Sequence, residues 1–169
     1  MPHVIIREER PADIEQIATV TREAFARHPY SRHTEQFIID ALRRENTLII
    51  SLVAEAAGAV VGHIAFSPVA ISDGSSDWYG LGPVSVAPAL QGQGIGQELV
   101  VSGLKKLRTL GARGCVLVGE PAFYGRFGFA VNPEILLPAV PPEFFLALAF
   151  GENQSKGTVT FDAAFSAEA

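Results

Sequence analysis

Cysteine occurs once in this sequence, at Cys115. A lone thiol cannot close a disulfide within the chain, which excludes a disulfide-framed extracellular scaffold. Long apolar runs are missing too. The longest, Phe144 to Phe150, falls far short of the roughly 20 residues that cross a bilayer, so no membrane span is expected. The start, MPHVIIREERP, carries charge where a secretion signal needs an unbroken apolar segment, and a cytoplasmic protein is the expectation. Basic clusters are the third absence. With 13 Lys and Arg against 18 Asp and Glu, a formal charge of −5 and the cations spread singly or in pairs, no nucleic-acid partner is expected. His28 and His33 lie either side of Pro29 with no third ligand at suitable spacing, so no metal is expected either.

What is present is one core's worth of apolar residues: 169 residues, 48% apolar, read as a single domain over 1–169. VIIRE is a short strand. Pro11 stands where a first helical position tolerates it, followed by Ile14, Ile17, Thr21, Ala24 and Phe25 on one face of a helix that ends near His28-Pro29. A second helix, capped within Ser31 to Thr34, buries Phe37, Ile38, Ala41 and Leu42. Leu48 to Ala54 and Val60 to Ile71 are β-type runs joined around Ala57-Gly58, which predicts an antiparallel hairpin. WYGLGPVSV is the next strand. Proline donates nothing to a ladder, so Gly82-Pro83 predicts a bulge or splay at which pairing stops. A helix with Leu99, Gly103, Leu104, Leu107 and Leu110 on one face leads to CVLVG, a strand buried on both faces and therefore parallel to its predecessor. A short helix from Pro121 and the β-type runs EFFLALAF and GTVTFDAAF follow, with Ser166 to Ala169 expected to fray.

Between strand and helix lies QGQGIG, Gln91 to Gly96. Three alternate glycines leave the N–H groups of a helix's first turn clear of side chains at the positive end of its dipole, which suits a phosphate group. A nucleotide P-loop is ruled out by the missing Gly-Lys-Ser/Thr ending. The dinucleotide fingerprint G-x-G-x-x-G is imperfectly met, because position 97 is glutamine and the preceding strands read as antiparallel; Glu120 would then be the ribose-binding acid. A tight turn without ligand is the third reading.

Gln91-Gly92-Gln93-Gly94-Ile95-Gly96 resembles the Q/R-x-x-G-x-G/A motif of the GNAT N-acetyltransferase superfamily, and FYGRFGF, Phe123 to Phe129, resembles its later aromatic-Tyr-x-x-x-Gly-Phe element. The run GEPAFYGRFGF is especially similar to a YhbS-like bacterial subgroup. The resemblance implies an α+β fold: a mixed, mainly antiparallel central sheet flanked by helices, its fourth and fifth strands parallel and splayed around acetyl-CoA. It further implies that Gln91, Gly92, Gln93, Gly94, Ile95 and Gly96 hold the diphosphate, and that the backbone of Val84, Ser85 and Val86 holds the pantetheine and polarises the thioester. Tyr124 then protonates the leaving thiolate. Many relatives carry a basic residue in the loop; this chain has none there, which turns attention to Arg126.

Direct transfer to an amine needs no protein nucleophile, so Cys115 is spare. The base is left open among Glu120, His63 and a water chain, with Glu120 read first as a surface acid ahead of the helix that Pro121 starts. Tyr30 and His33, on the connection that walls the acceptor pocket in the family, are expected to contact the acceptor. The expected activity is transfer of acetyl from acetyl-CoA to a primary amine of a small molecule, peptide or protein; a non-catalytic acyl-CoA-binding or sensing domain is the alternative. EFFLALAF either completes the core or meets a second copy in a homodimer.

Overall fold

The computed structural model describes residues 3–169. Strand β1 (Val4–Glu8) leads through a turn at Pro11–Asp13 into helix α1 (Ile14–Phe25), and α2 (Glu35–Arg44) follows. Strands β2 (Ile50–Ala56) and β3 (Ala59–Pro68) form the hairpin; β4 (Ala70–Ile71) is separate, and β5 (Trp78–Val86) is the long central strand. Then come α3 (Ile95–Thr109), β6 (Gly114–Val118), α4 (Pro121–Tyr124), β7 (Ile135–Leu136), β8 (Phe145–Ala149) and β9 (Gly157–Thr160). The main sheet runs β1-β2-β3-β5-β6-β8, antiparallel throughout except where β5 and β6 run parallel; β4, β9 and β7 form a smaller sheet.

Alternation along the strands divides the main sheet into two faces. Leu52, Ala54, Ile64 and Phe66 pack with Ile95, Leu99, Val100, Leu104 and Leu107 of α3. Gly103 is where α3 meets the sheet most closely, since a Cβ there would overlap the Phe66 ring. The opposite face lies under α1 and α2: Ile17 and Ile39 pack on Val53, and Thr21 reaches Ser85. α1 therefore crosses from β2 to β5, which carries the α1–α2 connection toward the far side of β5.

Four expectations are corrected. Leu48 is not yet strand, because the amides of Thr47 and Leu48 still cap α2 by donating to the Leu42 carbonyl. The run Val60 to Ile71 is two strands: the first ends at Pro68, paired with Tyr79, Val69 still donates to the Trp78 carbonyl, and Ala70-Ile71 then joins the smaller sheet. Thr34 is the residue before α2, but its side chain does not cap; Ser31 Oγ donates to the Glu35 carboxylate instead. The strand within GTVTFDAAF ends at Thr160, after which Asp162 accepts from the Ala164 amide and a short turn extends to Ser166, so that residue is tied down. EFFLALAF is spent on the core: β8 pairs with β6 from Phe145 to Ala149, with Phe145 and Leu146 buried.

Candidate active site

The site begins where β5 parts from β6. Parallel pairing covers only Trp78 to Gly80 against Gly114 to Val116, so from Leu81 to Val86 the β6-side edge of β5 is unpaired. The β3 side behaves differently from the expectation that pairing would stop. Between the pairs Ile64–Val84 and Phe66–Leu81, Ala65 alone on β3 faces both Gly82 and Pro83 on β5, so a bulge absorbs Gly82-Pro83 and the ladder resumes. Gly82 has φ 134 and the Gly82-Pro83 peptide is cis. Val84 and Val86 are half-buried and pack on the α3-side core, whereas the Ser85 side chain is buried and lies 3.3 Å from Thr21 Oγ1. A ligand reaching Ser85 would meet backbone, because the hydroxyl is turned under α1.

At the top of β5 the glycine loop turns into α3. Gly92 and Gly94 have φ of 79° and 88°, a left-handed backbone that side chains resist, and Gly94 is the N-cap of α3 with no side-chain cap bond. Gln91 Nε2 donates to the Val86 carbonyl at 3.0 Å, which pins the loop to the strand. The amides of Gly92, Gln93 and Gly94 donate to no backbone carbonyl among the described residues, and those of Ile95 and Gly96 open the helix with no preceding turn to receive them. Five unmet donors gather at the positive end of a 15-residue helix. Arg126 lies beside the start of α3. Its Nη1 donates to Gln97 Oε1 at 3.2 Å on the first turn of α3, its Nε to the Phe123 carbonyl at 3.0 Å, and its guanidinium lies 5.0 Å from the Phe123 ring centre.

Tyr124 ends α4, just beyond β6. Its ring meets Phe123 edge-on at 4.9 Å and Phe129 at 6.0 Å, and a Cβ at Gly119 would collide with it, so that glycine makes room for the ring. Burial, with the neighbouring Cys115 thiol, pushes the Tyr124 phenol up to about 12. Glu120 is the residue before α4, exposed, its carbonyl accepting from the amides of Phe123 and Tyr124. Tyr30 and His33 both lie exposed on the α1–α2 connection, Tyr30 at 89%, and His33 has φ 61. Cys115 is fully buried and its thiol is pushed up by burial, so it is no nucleophile.

His63 does not reach the cleft. It lies fully buried on the α1/α2 face, its Nε2 2.7 Å from Ser51 Oγ, and burial pushes it down to about 4. Sequence reasoning missed its surroundings: Glu9, Arg43 and Ser51 gather beside it. The signal was available in β3, where His63, Ala65 and Ser67 alternate with Ile64 and Phe66, placing polar residues at period two on a face otherwise treated as core. No group of three or more metal-capable side chains occurs among the described residues, and no helix there is long and apolar enough to cross a membrane.

An opened parallel strand pair beside uncapped helix amides is the arrangement of an acyl-CoA-dependent acetyltransferase, and sequence comparison agrees: the family described as the acetyltransferase (GNAT) domain matches residues 5–132. The chain belongs to that family. Among solved structures, a GNAT family acetyltransferase from Brucella melitensis in complex with acetyl-CoA has a TM-score of 0.87 at 49% identity, covering 98% of this chain and 100% of that one. The N-acetyltransferase YhbS of Escherichia coli K12 is 35% identical over 127 residues, 75% of this chain and 73% of YhbS. A crystal structure of E. coli YhbS in complex with CoA has a TM-score of 0.86 at 29% identity, covering 98% of this chain and 93% of that one.

Proposed function

We propose that this chain is one cytoplasmic acetyltransferase domain that moves the acetyl group of acetyl-CoA directly to a primary amine of a small molecule or peptide. The observation that carries the proposal is the set of unmet amides from Gly92 to Gly96 at the start of α3, next to the unpaired edge of β5. On this reading those amides and Arg126 hold the diphosphate, Gln91 fixes the loop, and the backbone of Val84, Ser85 and Val86 guides the pantetheine into the gap. An amide of β5 aimed at the thioester oxygen would stabilise the charge that develops there, a contribution of about 3 kcal/mol where such donors have been removed in other enzymes. Tyr30 and His33 are free to meet the acceptor.

Tyr124 is assigned to the leaving thiolate as a hydrogen-bond donor. Full proton transfer from a phenol at about 12 to a thiolate near 8.5 is uphill by about 3.5 units, or roughly 5 kcal/mol, so the tyrosine stabilises the departing charge before solvent protonates it. Glu120, exposed ahead of α4, is assigned to the mouth, where it attracts cationic acceptors and collects protons. The test is thiol release from acetyl-CoA with a panel of amines. Tyr124→Phe is expected to lose about 10- to 100-fold in kcat with CoA affinity nearly unchanged, the size of one charge-assisted hydrogen bond. Tight CoA binding with no turnover on any amine would instead leave a non-catalytic acyl-CoA-binding domain.

A further inference from the structure

The sheet face turned away from α3 carries a buried polar line that the scheme above does not use. Its centre is His63, fully buried, with Nε2 2.7 Å from Ser51 Oγ. Ser51 also bonds Glu9 Oε1, and Glu9 is gripped by Arg43 through Nε at 3.0 Å and Nη2 at 2.8 Å, which holds it as a carboxylate. A serine hydroxyl has one proton to give. With that proton on the side of Glu9, Ser51 accepts from the ring, so His63 carries its hydrogen on Nε2 and presents a bare Nδ1. Among the described residues no group meets that Nδ1. A buried lone pair is seldom left unmet without a water or a function.

Both ends of the line lead somewhere. Inward, Ser85 is the cross-strand partner of His63 and is itself buried, 3.3 Å from Thr21 Oγ1. Directly opposed side chains on antiparallel strands have Cβ atoms about 5 Å apart, so the Ser85 hydroxyl and the His63 ring are neighbours on one face of the sheet. Ser85 sits between Val84 and Val86, on the stretch of β5 that is open toward β6. Outward, Glu9, Arg43 and Ser51 line a cavity of about 370 Å³ with Asn46, Leu48 and Ile50. The line thus runs beneath α1 and α2 from Ser85, whose backbone borders the open edge of β5, to solvent at the end of β1.

We propose that Ser85, His63, Ser51 and Glu9 form the exit route for the proton that the acceptor ammonium loses before attack, a step that rests on the amine-acetylation reading. Only the free amine attacks a thioester, yet an alkyl ammonium with a pKa near 10.4 is almost wholly protonated at pH 7. The N–H bond of the ammonium breaks and its electron pair stays on nitrogen. Through water at Ser85 the proton reaches Nδ1 of His63 as the ring releases its Nε2 proton to Ser51 Oγ; Ser51 passes its own to Glu9, which sheds it into the cavity. The ring is left with its hydrogen on Nδ1, and water-mediated exchange that removes this proton and returns one to Nε2 restores the starting tautomer before the next turnover. The charged groups facing the ring are Glu9 from the end of β1 and Arg43 from α2, while α1 contributes the neutral Thr21. Burial pushes His63 down to about 4, so the ring passes a proton on without storing it.

Ser51→Ala removes the hydroxyl between ring and carboxylate without touching the cleft, and Ser51→Thr keeps a hydroxyl there. With saturating acetyl-CoA and an amine that the wild type acetylates, Ser51→Ala is expected to lose tenfold or more in kcat at pH 7 with KM for acetyl-CoA unchanged. The deficit should close as pH approaches about 10, where solution supplies free amine. Ser51→Thr should recover most of the loss, and Glu9→Gln should show the same pH-dependent deficit. A deficit of equal size at every pH, or a Ser51→Ala enzyme as fast as an active wild type at pH 7, overturns the route alone. An inactive wild type on every amine removes the acetylation reading and the route with it. Should Ser51→Ala fold poorly, ¹⁵N spectra of wild-type His63 near pH 7 decide: the Nε2–H tautomer with a bare Nδ1 is expected, and the Nδ1–H tautomer refutes the proposal.

Discussion

Replacing Gly92, Gly94 and Gly96 by alanine, one at a time, separates backbone strain from ligand binding, because the three glycines differ in both respects. Gly92 and Gly94 are left-handed, and a Cβ at either meets nothing within 4 Å. Their stability cost is therefore conformational, about 1–2 kcal/mol each, since a left-handed backbone brings Cβ close to the following carbonyl. For a chain of this length that is roughly 2–8 °C in Tm. Gly96 lies within the first turn of α3 with ordinary helical φ, and its Cβ would sit 3.7 Å from Val86 Cγ2 and 3.9 Å from Phe123 Cζ, in normal contact. Alanine there gains about 0.5–1 kcal/mol of helix propensity. Ligand binding splits the same way. A methyl on Gly94 points into the open space the diphosphate is proposed to fill and displaces at least one charge-assisted hydrogen bond worth about 1.5–3 kcal/mol, which weakens CoA by about 10- to 100-fold. A methyl on Gly96 points into the protein and should change CoA affinity by less than about threefold, in keeping with the Gly/Ala tolerance of the motif at that place. Calorimetric titration with CoA and thermal unfolding of the three variants measure both quantities. A Gly94→Ala protein that binds CoA like the wild type, or a Gly96→Ala protein weakened as much as Gly94→Ala, refutes the assignment of these amides to the diphosphate.

The core offers a steric counterpart: Gly103→Ala places its Cβ inside the Phe66 ring, so α3 must lift from the sheet at a cost of about 1–3 kcal/mol, read as a lowered Tm with CoA binding at 25 °C retained. Stability should also fall in two stages as pH drops. His63 has a folded pKa lowered to about 4 from 6.5, so between those values the unfolded chain binds a proton that the folded one refuses, and stability declines by about 3 kcal/mol on going from pH 6.5 to 4. His63→Gln should flatten that limb in pH-dependent denaturant titrations. Asp13, held down to about 2 by its bonds to Arg7, contributes stability that is present above its unfolded value of 3.8 and is lost between there and pH 2; Asp13→Asn should remove this lower limb. Cys115, fully buried, should resist aromatic disulfide reagents in the folded protein and react stoichiometrically in denaturant, and rapid labelling under native conditions would contradict the packing of β6.

The sequence by itself determined the parts of this protein that depend on neighbours along the chain. The spacing of Gly92, Gly94 and Gly96 ahead of Leu99, Gly103, Leu104 and Leu107 specifies a bare loop opening an amphipathic helix, and proline at 83 specifies an irregular strand, because φ preferences and missing donors act within a few residues. Tertiary structure alone decided the rest. That the β5 ladder would resume past Pro83 toward β3 and end toward β6 depends on two different partners, each remote in sequence. That Arg126 would stand beside Gln97 depends on the segment after β6 folding back across the start of α3. That Ser85 would turn from the cleft and His63 would lie under α1 beside Glu9 and Ser51 depends on which face of the sheet each strand position takes, and a one-residue bulge reverses that. Local geometry is written in short stretches of chain; the pairing of groups from distant stretches exists only once the sheet has set its register.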